Sequence, residues 1–463
     1  MKIKFKRTNC GAAVLAAILC MVIQVLVTMC RDGGNLHFES VFFMMNYLDG
    51  RPLLNQIMDP GLNDWGFYQA REFSYLFDAI DAHVVAFLLS KHIVWFHSLC
   101  SILLCGVMIF IQHYFSRRFF PAVPGMAVTL MSVFFVLSAG VAAPEYFRCA
   151  KFLTAAGLWG ACFASFAMFR FGGWKSKTAL IVSLLVMTLS DRQGFFFTAA
   201  MCGTAGVLLL FMDHYGFSQI LCRRGRQVIL TAFGVTVFGI INNLLLTPLM
   251  IKCVNGYIPD FSYQKGVSLQ PGNLTDGFLF LTGNAGNWFS NYTGDLKIAA
   301  VSGVLLFLGM ALELWREHRK GMRRSVCVTV LWGCAVTAMI LCGALMASRH
   351  PMIMAPGVVY GTYAVNFMVI SLFLAAFTAA GAGKRFCMIL ICLLAAGIIL
   401  RLGGEFAGEK FNPGDDFFTG YNSGQYVLKS VLRDPGFDEK KYCLPRRMEL
   451  FLEFYRKNIL TKK

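Results

Sequence analysis

The sequence predicts an all-α integral membrane protein with about eleven membrane-spanning helices, and three observations carry that reading. Only 14% of the 463 residues are charged while 57% are hydrophobic, against about 25% charged in soluble domains. Apolar runs of ~20 residues recur along the chain, the length a helix needs to cross the hydrocarbon core. Short basic clusters fall between alternate runs, as the positive-inside bias requires.

Each element follows from that pattern. The first run, 11–29, comes after Lys2, Lys4, Lys6 and Arg7. It is long enough to span and no small-residue cleavage site follows it, so it reads as an uncleaved first span with its N-terminus inside. A long outer loop occupies 31–91. Further spans are expected at 92–114, 119–141, 152–169, a short run at 178–190, then 194–212, 228–251, 298–314, 325–346, 352–380 and 386–400. The inner loops between them hold Arg117 and Arg118, then Arg170, Lys175 and Lys177. Further inner clusters are Arg223, Arg224 and Arg226, then Arg316, Arg319, Lys320, Arg323 and Arg324, and last Lys384 and Arg385. The resulting topology is N-in/C-out. It divides the chain into a polytopic transmembrane domain, 1–400, and a small extracytoplasmic C-terminal domain, 401–463.

The net charge of +17 is spread over these loop clusters. It therefore marks the cytoplasmic face of a bilayer and gives no nucleic-acid surface. Most of the 16 cysteines lie inside apolar runs, where they act as small hydrophobes. Cys30, Cys149, Cys253 and Cys443 fall in or beside outer loops, and a disulfide among them is open. No CxxC pair with zinc spacing is present.

The outer loop 31–91 holds the most information. Over 71–89 the apolar residues Phe73, Leu76, Phe77, Ile80, Val84, Phe87 and Leu88 recur at helical spacing. The same winding puts Arg71, Ser74, Asp78 and Asp81 on another face. Such a helix is expected to lie in the membrane interface with its polar face toward an outer cavity. A second amphipathic piece, 37–48, places Glu39 among Phe38, Val41, Phe42 and Phe43. A carboxylate in such surroundings is either used or paired, and Arg71 is the partner the paired reading names. Asp32, Asp49, Asp59 and Asp64 read as loop or cap residues.

With these residues in place the chain resembles the GT-C superfamily of polytopic membrane glycosyltransferases. The residues concerned are the acid soon after the first span, in His37-Phe38-Glu39-Ser40-Val41-Phe42-Phe43, and the acid of the next outer loop, in Pro144-Glu145-Tyr146-Phe147-Arg148. The run Tyr68-Gln69-Ala70-Arg71-Glu72-Phe73-Ser74 looks like the polar start of the second interfacial helix in bacterial members. The resemblance implies transfer of a sugar from a polyprenyl-phosphate donor to an extracytoplasmic glycan, lipid or protein acceptor. It places the chain in a bacterial plasma membrane.

In that chemistry a carboxylate takes the proton of the acceptor hydroxyl, which attacks the anomeric carbon with inversion. The resemblance implies Glu39 as base and Glu145 as the group that orients the acceptor. Arg71, Arg148, Arg192, Arg349 and His350 are the candidates for the lipid phosphate, with Asp78 and Asp81 as further substrate contacts. A divalent cation, magnesium or manganese, is compatible with the carboxylates and not required by them. Bland readings stand beside these roles: Arg148 and Lys151 as snorkelling groups at a span end, and Asp191 with Arg192 as a pair across a turn. The competing functions are a transporter or flippase of lipid-linked sugars and an O-antigen polymerase or ligase. A transporter is expected to carry ionisable groups within its spans, where Asn242 and Asn243 are the clearest polar pair.

Overall fold

A computed structural model describes residues 10–30, 33, 34, 36, 38–59, 70–119, 149–214, 219–258, 421–434, 436–438, 441 and 444–460, with the single residues 275, 315 and 319. Among these residues every regular element is a helix. The helices are α1 (Cys10–Cys30), α2 (Phe38–Tyr47), α3 (Leu53–Ile57), α4 (Glu72–Ser90), α5 (Leu99–Phe119), α6 (Ala150–Phe171), α7 (Trp174–Ser190) and α8 (Arg192–His214). After them come α9 (Gln219–Ile241), a π-helical turn (Asn242–Leu246) and α10 (Thr247–Asn255). The C-terminal segment adds α11 (Tyr421–Arg433) and α12 (Arg446–Tyr455), the latter ending in a π turn at Arg456–Leu460.

Among the described residues, five stretches are long and apolar enough to cross a membrane: Cys10–Cys30, Glu72–Ser90, Ala150–Phe171, Gly194–Asp213 and the continuous Gln219–Asn255. This is the pattern of a multi-pass membrane protein in a lipid bilayer. Leu99–Phe115 is a shorter apolar stretch. The spans expected at 298–314, 325–346, 352–380 and 386–400 lie outside the described residues, as does nearly all of 119–141.

The long helices pack in antiparallel pairs, α1 with α5, α6 with α7 and α8 with α9. Small residues allow the closest of these approaches. A Cβ on Gly157 of α6 would sit 2.8 Å from the Ser183 carbonyl oxygen of α7, and one on Gly160 would sit 2.5 Å from the Ser183 hydroxyl. In an apolar solvent helices gain nothing by hiding apolar surface from water, so close backbone approach is a main source of attraction. At the far end of this pair the Arg224 guanidinium donates to the carbonyls of Phe169 (3.1 Å) and Arg170 (2.7 Å), closing the C-terminus of α6.

At the opposite end a separate core forms from segments far apart in sequence. It contains Leu36, Val41, Met44 and Tyr47 of the α2 region, Ala79, Val85 and Leu89 of α4, and Ile251 of α10. Val427, Leu428, Val431 and Leu432 of α11 and Met448, Phe451 and Tyr455 of α12 complete it. The described C-terminal helices therefore share one core with the loop that follows α1. A polar stitch marks the junction. The buried Gln425 side chain accepts the Leu36 N–H at 3.0 Å and donates to the Leu36 carbonyl at 2.6 Å, satisfying both backbone groups of one residue.

One helix boundary differs from the expectation, and another is closed without the usual glycine. The segment expected to begin a span at 92 is non-helical up to Ser98, and α5 starts at Leu99. Phe96 enters the core, and the Phe96 N–H donates to the Gly33 carbonyl at 2.8 Å. Gly33 and Gly34 both have positive φ, +81° and +80°, and a side chain on either would collide with the Val94 carbonyl or the His97 ring. The glycine pair is what lets the turn after α1 lie flat on this segment. α4 ends at Ser90, with bonds from His92 N–H to the Leu89 carbonyl (2.9 Å) and from Ile93 N–H to the Leu88 carbonyl (3.0 Å). That is a Schellman closure, which puts its left-handed residue at His92, φ 61°. The usual glycine is missing, and the His92 ring instead bonds the Leu432 carbonyl of α11 at 3.2 Å.

Gln425→Ala should remove both bonds that join α11 to Leu36. The expected loss is about 1–3 kcal/mol, read as earlier thermal unfolding in detergent. Unaltered unfolding would show that α11 does not hold the loop after α1.

Candidate functional site

The candidate site is built on the inward face of α4. Ser74, Asp78 and Asp81 are spaced four and three residues apart, so one stripe of the helix carries them. All three are buried, with Asp78 at 0% exposure, while Phe87 on the other side is 63% exposed. The polar stripe faces protein and the apolar stripe faces outward. The polar face was expected to line an outer cavity; it is covered instead by the ends of α5 and α6. The physical reason lies in the solvent: an apolar stripe can face lipid, whereas a carboxylate cannot without great cost.

Each aspartate closes the start of another helix. Asp78 Oδ1 accepts the Cys149 N–H at 2.6 Å, at the position preceding α6. Asp81 Oδ1 accepts the Cys100 N–H at 3.0 Å, in the first turn of α5. The first N–H groups of a helix have no partner within it and carry the positive end of its dipole, so an anion there is stabilised twice over. Hydroxyls engage the remaining oxygens. Ser74 donates to Asp78 Oδ2 at 3.3 Å, and the Ser98 hydroxyl donates to Asp81 Oδ2. Ser98 is itself the N-cap of α5, its Oγ accepting the Ser101 N–H at 2.9 Å. The Cys149 thiol sits 3.4 Å from Asp81 Oδ2 and 3.3 Å from the Ser98 oxygen.

A second polar group lies at the start of α4. The Arg71 guanidinium reaches Asp191, between α7 and α8, at 3.8 Å. The other two expected pairs, Arg71 with Glu39 and Asp191 with Arg192, each involve a side chain outside the described ones. Glu72 Oε1 accepts the Thr247 hydroxyl at 2.5 Å, and Asn242 lies beside the same carboxylate. Both residues flank or open the π turn before α10. Pro248, lacking an N–H, stands where an α-helix would continue, and the wider turn accommodates the break. α4 thus passes across the ends of α5, α6, α7 and α10 and touches each through a charged or amide group.

A third network ties the loop after α2 to the end of α10. Arg51 bonds Asp49 (2.5 Å), Asp59 (2.8 Å) and Asn46 (2.6 Å), and the Tyr257 hydroxyl donates to Asp59 at 2.8 Å. Burial first, then the bond to Asp59, pushes the Tyr257 hydroxyl above its ordinary range. Asp49 and Asp59 are loop residues, as expected, and Arg51 is what they organise.

The remaining candidates divide cleanly. Glu39 falls in the first turn of α2 and Arg192 opens α8; their side chains are not described. Glu145, Arg148, Arg349 and His350 lie outside the described residues. Lys151 is buried in α6 rather than reaching for a surface. Sequence reasoning missed Ser98 and Cys100 as partners of Asp81 and Thr247 as the partner of Glu72. One signal was present for Ser98: a serine directly before the apolar run 99–115 is an N-cap signature. No local pattern pairs Cys149 with Asp78, which stands 71 residues away.

Asp78→Ala should strand the buried Cys149 N–H and destabilise the protein by about 1–3 kcal/mol. Asp78→Asn keeps an acceptor and should cost less. Equal unfolding temperatures for wild type and both variants would remove the capping role. Comparison with known protein families finds no family model that matches the chain, and comparison with curated proteins finds no match either.

Proposed function

We propose that the chain is a membrane glycosyltransferase of the kind it resembles. It takes a sugar from a polyprenyl-phosphate donor and passes it to an extracytoplasmic glycan, lipid or protein acceptor. In this reading the chain has eleven spans, N-in/C-out, in a bacterial plasma membrane. α2 and α4 lie at the outer interface. Glu39 is the base, Glu145 orients the acceptor, and Arg71, Arg148, Arg192, Arg349 and His350 are the groups available to the lipid phosphate.

The observation that supports this reading most is the placement of α2. The helix that carries Glu39 begins eight residues after α1 ends and packs against α4 and α12. It does so at the end of the bundle where the charged residues of α4 meet the ends of α5, α6, α7 and α10. Chemistry on a lipid-linked substrate needs a carboxylate near a helix end, where a polyprenyl headgroup sits, and cations close by. Asp78 and Asp81 are committed to helix starts, so their contribution is to hold that end together.

A transporter of lipid-linked sugars is the second reading, and one observation favours it. Two buried aspartates lie within Glu72–Ser90, a helix apolar enough to cross, and acids at membrane depth mark transport routes. Their engagement as helix caps argues for a structural role instead.

Glu39→Gln separates the two readings. Gln keeps the shape and cannot take a proton at neutral pH. With purified protein and a lipid-linked sugar donor, transfer should fall by about 100- to 10,000-fold while thermal unfolding is retained. Near-wild-type transfer by a folded Glu39→Gln protein removes Glu39 as the base. Loss of vesicle transport in Asp81→Asn, with no transferase activity in wild type, would establish the transporter. Single-cysteine reporters test the topology: Gly61→Cys and Asp438→Cys should label from outside, Ser116→Cys and Lys320→Cys only from the cytoplasm. Labelling of residues 61 and 320 from the same side overturns it.

A further inference from the structure

Asp81, Cys100 and Cys149 bring one carboxylate and two thiols together where three helices meet. Their candidate donor atoms all lie within 4.8 Å of one another, and all three residues are buried. Nothing in the proposed transferase chemistry uses them. Burying two thiols against a carboxylate is a poor choice for packing alone, since apolar residues of similar volume would fill the same space without loss of hydration. The arrangement has a specific chemical reading.

We propose that Asp81, Cys100 and Cys149 form a site for a soft divalent cation, zinc in kind, which clamps α4 to the first turns of α5 and α6. The inference is independent of the transferase reading. Zinc takes thiolate sulfur at ~2.3 Å and carboxylate oxygen at ~2.1 Å with tetrahedral angles, which sets the oxygen and sulfur about 3.6 Å apart. Asp81 Oδ2 and Cys149 Sγ are 3.4 Å apart. The Ser98 oxygen lies 3.3 Å from the same sulfur and supports the carboxylate beside it.

The surroundings hold these donors in place. The Ser98 hydroxyl bonds Asp81 Oδ2 and lies 2.8 Å from the Ser101 oxygen, so the carboxylate is oriented from outside the site. Asp81 Oδ1 holds the Cys100 N–H and Asp78 Oδ1 holds the Cys149 N–H, which fixes the backbone under both sulfurs. Two thiols select a soft cation over magnesium, manganese or calcium, which prefer an all-oxygen set. On binding, each thiol releases its proton to solvent as its sulfur bonds the metal. Two thiolates and one carboxylate then leave a single negative charge on the site, facing two helix N-termini that favour it.

The test uses the full-length protein purified in detergent without chelator and with reductant present. Metal analysis should find about one zinc per chain. Replacement by cobalt should give thiolate-to-metal charge-transfer absorption in the wild-type protein, a readout that depends on no variant folding. Cys100→Ser, Cys149→Ser and Asp81→Asn should each abolish the cobalt band. Ser98→Ala should weaken zinc about 10- to 100-fold. Cys105→Ser, buried elsewhere on α5, should keep zinc and spectrum. Reduced wild-type protein that holds no zinc and gives no cobalt band overturns the proposal. So does a Cys100–Cys149 disulfide found by mass spectrometry in freshly purified protein.

Discussion

Two carboxylates, one helical turn apart on α4, close the N-termini of two other helices, and the described architecture depends on that arrangement. A helix start exposes N–H groups that must find partners. In water they find solvent; among packed helices in an apolar medium they do not. Asp78 and Asp81 supply acceptors from a third element, so α5 and α6 can begin at the same level under α4 without local caps for those N–H groups. The carboxylates are stabilised in return, because each meets the positive end of a helix dipole and a hydroxyl donor.

This exchange explains why α4 is turned inside out relative to a soluble helix. Its apolar stripe, with Ile80 and Phe87, faces outward, and its polar stripe faces protein. In water that orientation would expose a row of large hydrophobes and bury two acids, a loss on both sides. Against lipid the apolar stripe is at home, and the acids have only one place to go. The charged start of α4 follows the same logic: Arg71 meets Asp191 and Glu72 meets Thr247, so the helix is pinned at its start as well as along its length.

Above α4 a different physics takes over. The core of α2, α4, α10, α11 and α12 is assembled like that of a soluble domain, from amphipathic helices whose apolar faces meet. Its polar joints are specific. Gln425 satisfies both backbone groups of Leu36, Arg51 gathers Asp49, Asp59 and Asn46, and the His92 ring reaches the Leu432 carbonyl. The His92 joint holds a left-handed residue without glycine, a strain that contacts from α11 must offset. In the transferase reading this layer seats Glu39, since α2 belongs to it.

The sequence by itself determined the solvent and the local periods. Few charges and long apolar runs require a membrane, and the spacing of Phe73 to Leu88 defines α4 as a two-faced helix before any contact is known. The acid pair on its polar face was equally legible. Only the tertiary structure decided what those acids do. Cys149 is 71 residues from Asp78 and Gln425 is 389 from Leu36, and no local pattern encodes such a pairing. The start of α5 at Leu99 was set by contacts with Gly33 and the core, and the end of α4 by a histidine where sequence rules look for glycine. Periodicity is a property of neighbouring residues and can be read along the chain. The partner of a buried charge is a property of the packed fold, because it depends on which distant helix end arrives within hydrogen-bond reach.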